Sequence, residues 1–247
     1  ASLNALEYAV DMLVSNRLST VLVGGVEELC PETFAAFHDL EALKRSSGNG
    51  LEKKSSVARA TFHLGEGAGV LVVENERASG QRGVRAYAEV LSIVSGFAGD
   101  ITGKLGISEQ AAEETLRDAI DLAGVRAGDF DCVSLTSDPE SIGETSPANL
   151  EARVLKRIFG SSLEKVKKVG LRSLCGETFS ATGILQIIAA IGSATGSKSE
   201  LALVATLSPI GTCAAAVLRL PPGQTAWLEL KDGNNSSAKS NPVGNGR

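Results

Sequence analysis

Aromatic residues are scarce in this chain, at 4%, while glycine reaches 27 residues. A core cannot rest on large rings here. It must be built from Ala, Val, Leu and Ile with close backbone approaches. Cysteine is sparse and scattered: Cys30, Cys132, Cys175 and Cys213 form no C-x-x-C pair and no metal-ligand spacing. A zinc ribbon or a disulfide framework is thereby excluded, and each thiol is expected to be buried and reduced, as in a cytoplasmic protein. There is no basic excess. The net charge is −5, with no aromatic-studded basic groove, so nucleic acid is not an expected partner. Long apolar runs are missing too. The stretch Ile184 to Ile191 is far too short to span a bilayer, so no membrane association is expected. The opening residues are amphipathic and carry Glu7 and Asp11, so they do not read as a signal peptide.

What is present alternates. Leu3, Leu6, Val10 and Leu13 mark a helix over Ala1–Asn16, and Thr20–Gly24 reads as a short buried strand. Pro31–Leu43 reads as a helix with Pro in its first turn, and Lys44–Ser56 as a polar loop. Val70–Glu74 is a strand, Gly83 closes a short charged segment, and Val84–Val94 alternates like a long strand. Ser108 can cap a helix over Glu109–Ala123. A strand over Asp131–Thr136, a loop over Ser137–Pro147, a helix over Asn149–Ile158 and a short strand over Val169–Leu171 follow. Phe179–Ile191 is an apolar helix, Leu201–Leu207 and Ala214–Leu220 are a closing strand pair, and Trp227–Leu230 adds a last strand. Lys231–Arg247 is almost devoid of apolar residues and predicts a disordered tail. Helices and strands in alternation predict a layered α/β domain.

One string stands out: Gly65-Glu66-Gly67-Ala68-Gly69, running directly into the strand Val70–Glu74. A Gly-x-Gly-x-Gly run cradles phosphate when it opens a helix. Opening a strand instead, these glycines point to close backbone packing. The string is similar to the Gly-Glu-Gly-Ala-Gly signature of the β-ketoacyl synthases. Arg59 and Phe62 precede it as in that family's Arg-Asp-Gly-Phe element, with Ala60 in place of Asp. Ala1–Ala9 resembles the helix that follows the family's nucleophilic cysteine, and Val23–Glu27 its Ala-Gly-Gly-x-Glu turn. Leu150–Gly160 ends in Lys-Arg-Ile-Phe-Gly, as family members do. Arg172–Gly183, including Gly176 and Gly183, tracks Lys-Ser-x-x-Gly-His-x-x-Gly-Ala-x-Gly, and Gly211-Thr212 with Ala214–Arg219 tracks the Gly-Gly-Thr-Asn terminus. The motifs run in order along most of the chain.

The resemblance implies the thiolase fold, five layers αβαβα, incomplete at the N-terminus. Residues 1–95 would be the remainder of the N-terminal half, 96–230 the C-terminal half and 231–247 the tail. It implies no cofactor and no metal. Family chemistry uses a cysteine thiolate at a helix N-terminus, two histidines that donate to the developing enolate oxygen, and a lysine behind the second histidine. The cysteine would lie about two residues before Ala1, and the expectation is that this position is not Cys. The first histidine position falls at Thr136 or Glu140, depending on which flank is aligned. The second is Glu177, the lysine is Arg172, a supporting glutamate is Gln186, and the phenylalanine of the last turn is Pro209. A carboxylate at Glu177 would repel an enolate, and the economical arrangement pairs it with Arg172. His38 and His63 match no catalytic position, and Asp138, Glu140 and Glu144 read as a solvated loop.

The function so implied is that of a non-condensing, chain-length-factor-like protein of fatty acid or polyketide assembly. Its partner would be a related ketosynthase, in a homodimer or heterodimer, with acyl carrier protein as a further partner. Two other classes stand beside it: an acyltransferase or thioesterase using an upstream cysteine, and a scaffold without an acyl cavity.

Overall fold

The computed structural model describes residues 1–39, 63–97, 108–137, 150–208 and 211–222. Helix α1 (Ser2–Val14) buries Leu3, Leu6, Ala9 and Leu13 along one stripe, the spacing of an amphipathic helix. Strands β1 (Thr20–Glu27) and β2 (Gly67–Glu74) pair antiparallel, from Thr20 opposite Glu74 to Glu27 opposite Gly67. Helix α2 (Pro31–Asp39) lies between them in sequence; the rest of the helix expected to Leu43, and the loop after it, lie outside the described residues.

The charged segment before Gly83 forms a helix, α3 (Glu76–Arg82). The Asn75 side chain accepts from the Ala78 N–H at 2.9 Å, and Gly83 ends the helix at φ 65°. The long strand expected from Val84 is displaced to β3 (Glu89–Phe97). Its partner sets the start: Glu89 pairs with Arg219 and Val90 with Leu218, and the partner strand ends one residue further on, at Leu220, so it offers residues 84–87 no ladder partner.

Helix α4 (Glu109–Leu122) starts where Ser108 accepts from the Ala111 N–H. Then come β4 (Cys132–Leu135), α5 (Leu150–Phe159), β5 (Lys167–Gly170), the single turn α6 (Arg172–Cys175), α7 (Phe179–Ser193), β6 (Glu200–Leu207) and β7 (Thr212–Leu220). The strand expected at Val169–Leu171 is shifted toward the N-terminus, because Lys167–Gly170 pairs with Cys132–Leu135 in parallel and Leu171 already precedes α6. The strand expected at Trp227 and the tail lie outside the described residues.

Strands β3, β7, β6, β4 and β5 form a mixed five-stranded sheet in that order; β1 and β2 form a second sheet. Helices α1 and α7 lie between the sheets. Ile184, Ile187 and Ala190 of α7 meet Leu3, Leu6 and Ala9 of α1, Val23 of β1, and Ala202, Val204, Ala214 and Ala216 of the large sheet in one apolar cluster. The other face of the large sheet is covered by α4 and α5, through Leu116, Ile120, Val154 and Leu155 against Leu203, Ala205 and Val217. The layer order is therefore β, α, β, α. The close approach of α1 and α7 needs Gly183: a Cβ there would lie 2.6 Å from Leu3 Cγ.

The strand at β1 is not fully buried, as the sequence reading had it. Val23 is buried, but Leu22 and Val26 face solvent. Side chains alternate across a strand, and no described element lies on the outer side.

Candidate functional site

The residues singled out by sequence converge where α7 begins. Helix α6 ends at Gly176, whose φ of 73° turns the chain into Glu177. Glu177 is locked in place from two sides. Its N–H donates to the His63 carbonyl at 2.8 Å, and its own carbonyl accepts from the Gly65 N–H at 3.0 Å. The glycine string thus closes against the loop before α7. A Cβ on Gly65 would sit 1.7 Å from the Cys175 carbonyl oxygen, and one on Gly69 would sit 2.7 Å from Ile184. Backbone packing accounts for these glycines, and Gly67 begins β2 against Leu185 of α7. Glu66 accepts from the Leu29 N–H at 3.4 Å.

The Glu177 side chain is 3% exposed and faces donors on every side that the structure shows. Arg172 forms an ion pair with Oε2. The Phe179 N–H and the Thr182 hydroxyl both donate to Oε1, at 3.2 Å. Phe179, the first residue of α7, holds φ at 30°, a backbone strain of the kind that collects at tightly determined sites. The expected pairing of Arg172 with Glu177 is what the structure contains.

Thr136 and Gln186 line a small cleft there, together with Arg172, Cys175 and Glu177. The Thr136 hydroxyl accepts from the Leu207 N–H at 3.3 Å and lies 3.5 Å from the Gln186 amide nitrogen. Gln186 is fully buried, and its Oε1 meets no donor among the described residues. Gly211, at φ 95°, and Thr212 make the turn into β7 by exchanging backbone bonds with Ser208. Cys175 borders the pocket, but burial first, and then the negative charge of Glu177, push its thiol up, the reverse of what a nucleophile needs. Cys132 and Cys213 are buried as expected; Cys30 and Cys175 are only half-buried.

One carboxylate at the site carries no signal in the sequence. Glu151, in the first turn of α5 and 4% exposed, accepts from the Thr136 N–H at 3.0 Å and the Ser137 N–H at 2.7 Å. It fastens the end of β4. Burial pushes its carboxyl up, opposed by those two bonds and by Arg172. A Glu one residue into an amphipathic helix looks like any solvated first-turn acid, so only the fold reveals its place. His38 is exposed and stacks near Phe34, with ring centroids 6.1 Å apart. His63 is also exposed and contributes its carbonyl to the site. Glu140, Asp138, Glu144, Arg59 and Pro209 lie outside the described residues. No cluster of three His, Cys, Asp or Glu suited to a metal occurs among the described residues, and none of their helices is long and apolar enough to cross a membrane.

The family model for the β-ketoacyl synthase N-terminal domain matches residues 1–79. The 3-oxoacyl-[acyl-carrier-protein] synthase 2 of Rhizobium meliloti (strain 1021) is 27% identical over 191 residues, 75% of this chain and 44% of that protein. Erythronolide synthase EryA3 of Saccharopolyspora erythraea is 29% identical over 199 residues, 77% of this chain and 6% of that protein. The solved structure of the ishigamide ketosynthase/chain length factor superposes with a TM-score of 0.65 at 27% identity, over 90% of this chain and 55% of that one.

This chain is a relative of the β-ketoacyl synthases. It has their thiolase-like fold, of which the described residues supply four layers. This β-ketoacyl-synthase relative spans about half the length of the curated synthase it matches. Against the family motif, the pocket holds a Glu–Arg pair where the resemblance puts a histidine and a lysine. The acceptor left without a donor there among the described residues is Gln186 Oε1.

Proposed function

We propose that this chain is a non-condensing β-ketoacyl-synthase-like protein of fatty acid or polyketide assembly. It works as a chain-length-factor-type partner of a true ketosynthase. The observation that supports this most is Glu177. Condensation needs a donor aimed at the oxygen where negative charge develops. Glu177 is an acceptor to Arg172, Phe179 and Thr182 alike, so an enolate oxygen brought there would meet a carboxylate. The positions Thr136, Arg172, Glu177 and Gln186, with Glu140 as the other alignment of the first histidine, are read as degenerate counterparts of the family site. The division into residues 1–95 and 96–230 as two thiolase-like halves belongs to the same reading, as does docking with a related ketosynthase and with acyl carrier protein.

Decarboxylation of malonyl-carrier protein by the purified chain tests it. The expected rate is that of the blank without protein. A rate comparable to that of a true ketosynthase overturns the proposal.

A further inference from the structure

In the cleft beside Glu177, two neighbouring side chains each keep one polar group without a partner among the described residues. One group is the amide oxygen of Gln186, a residue with no exposed surface: Oε1 meets no donor. The other is the hydroxyl proton of Thr136, a residue 6% exposed. Thr136 Oγ1 accepts from the Leu207 N–H at 3.3 Å and from the Gln186 amide nitrogen at 3.5 Å. Both of its lone pairs are then used, and its O–H finds no acceptor among the described residues. Because the amide nitrogen lies 3.5 Å from Oγ1, the amide oxygen on the same carbon and the Thr136 hydroxyl are within reach of one bridging atom.

The backbone around the two residues is fixed. The Thr136 N–H donates to Glu151 Oε1 at 3.0 Å, and Ser134 Oγ donates to the Gln186 carbonyl at 3.1 Å, which ties the end of β4 to the middle of α7. The two charged residues of the lining, Arg172 and Glu177, pair with each other. Glu177 Oε1 is occupied by the Phe179 N–H and the Thr182 hydroxyl. Leu135, Leu171 and Leu185 make much of the remaining wall apolar. A buried polar group left unpaired is costly, so the chemistry of the two open groups selects what can sit between them. An anion cannot donate to Gln186 Oε1. A metal ion or an ammonium group cannot accept from the Thr136 O–H. An O–H group does both at once.

We propose that Thr136 and Gln186 form a binding site for one uncharged hydroxyl oxygen, which accepts from the Thr136 O–H and donates to Gln186 Oε1. A water molecule and the hydroxyl of a short alcohol share this chemistry. The cleft is small, with room for about one group of that size. A position that one alignment gives to a histidine, and another that the resemblance gives to a glutamate, thus act together here on a neutral oxygen. The inference goes beyond the non-condensing reading and does not rest on it, because it holds whether or not the pocket at Glu177 condenses.

The test is a crystal structure of the full 247-residue chain at a resolution that shows ordered water, grown without alcohols and then soaked in methanol or in sodium formate. The expected result is an ordered oxygen within about 2.5–3.0 Å of both Gln186 Oε1 and Thr136 Oγ1. Methanol that places its own oxygen at that point shows that ligand hydroxyls enter. A water that methanol does not replace assigns the same site to solvent. Thr136→Ser should keep the bridging oxygen, while Thr136→Val and Gln186→Met should lose it; the parent structure decides the matter even where a variant fails to fold. Three results overturn the proposal. One is a formate carboxylate at the bridging point. Another is a Gln186 amide turned so that the Thr136 O–H donates to Oε1 directly. The third is no bridging oxygen at all, with Oε1 bonded to an N–H from elsewhere in the chain or left bare.

Discussion

Strand pairs β1–β2 and β6–β7 each come after a helix and are each rich in small or branched apolar residues, yet they live in different surroundings. Every residue of β6 is buried or half-buried, on both faces. Along β1 and β2 burial alternates residue by residue, and the outer positions are bare. An apolar strand records that it can be covered on two sides. It does not record how many covers are present. The neighbours of β6 are β4, α4 and α5; the counterparts for β1 are absent from the described residues.

The contrast can be broken most directly by placing one charge in each strand. Leu203→Asp, at a fully buried position of β6, should cost more than about 4 kcal/mol and leave little folded protein. Leu22→Asp, on the bare face of β1, should change stability by no more than about 0.5 kcal/mol in urea titrations. Equal costs would mean that the β1 face is covered in solution.

Where the Gly65 loop meets α7, Glu177→Ala removes the carboxylate paired with the mostly buried Arg172 guanidinium. The expected loss is about 3 kcal/mol. The double replacement Arg172→Met with Glu177→Leu should recover most of it, because the two charges of the pair are removed together. A double variant as unstable as the single one would show that the hydrogen bonds to Phe179 and Thr182 matter more than the ion pair.

Two adjacent glycines report on the two faces of β1 itself. A Cβ at Gly25 would lie 2.6 Å from the Ser180 carbonyl oxygen, whereas one at Gly24 meets nothing nearer than 3.6 Å. Gly25→Ala should therefore cost about 1–3 kcal/mol, and Gly24→Ala should be neutral or stabilise by a few tenths of a kcal/mol. Thermal melts of the two variants give the comparison.

The smallest effect belongs to the sheet that is covered. Glu151 holds its carboxyl above the ordinary value of 4.5, burial being the main cause. In that window the folded state binds more proton than the unfolded one, so stability falls as pH rises from 4.5 through the raised folded value. Glu151→Gln removes this slope. Relative to the variant, the parent should lose at most about 1.4 kcal/mol per pH unit inside the window. Parallel urea titrations across acidic to neutral pH that stay a constant distance apart would refute the assignment.

Much of this was legible in the residues alone. The Gly65–Gly69 string opening a strand, the stripe of α1 and the apolar length of α7 pointed to packed layers, and the layers are there. The pairing of Arg172 with Glu177 was expected from the opposite charges at the two positions that the resemblance singled out, and the ion pair is there. What was missed shares a physical cause. Helix α3 depends on a cap at each end of seven residues, with no apolar stripe to announce it. The start of β3 depends on where β7 stops. Glu151 looks like an ordinary first-turn acid until the backbone of Thr136 and Ser137 is folded against it.

By itself the sequence determined most of the element types and the order of the motifs, because each is set by local periodicity or by residue identity. Only the tertiary structure decided which strand faces are covered, which glycines touch backbone 110 or more residues away, as Gly65 does Cys175, and where a buried carboxylate finds its donors. Those depend on contacts between segments distant in the chain, and burial energy depends on the neighbour, which no single segment contains.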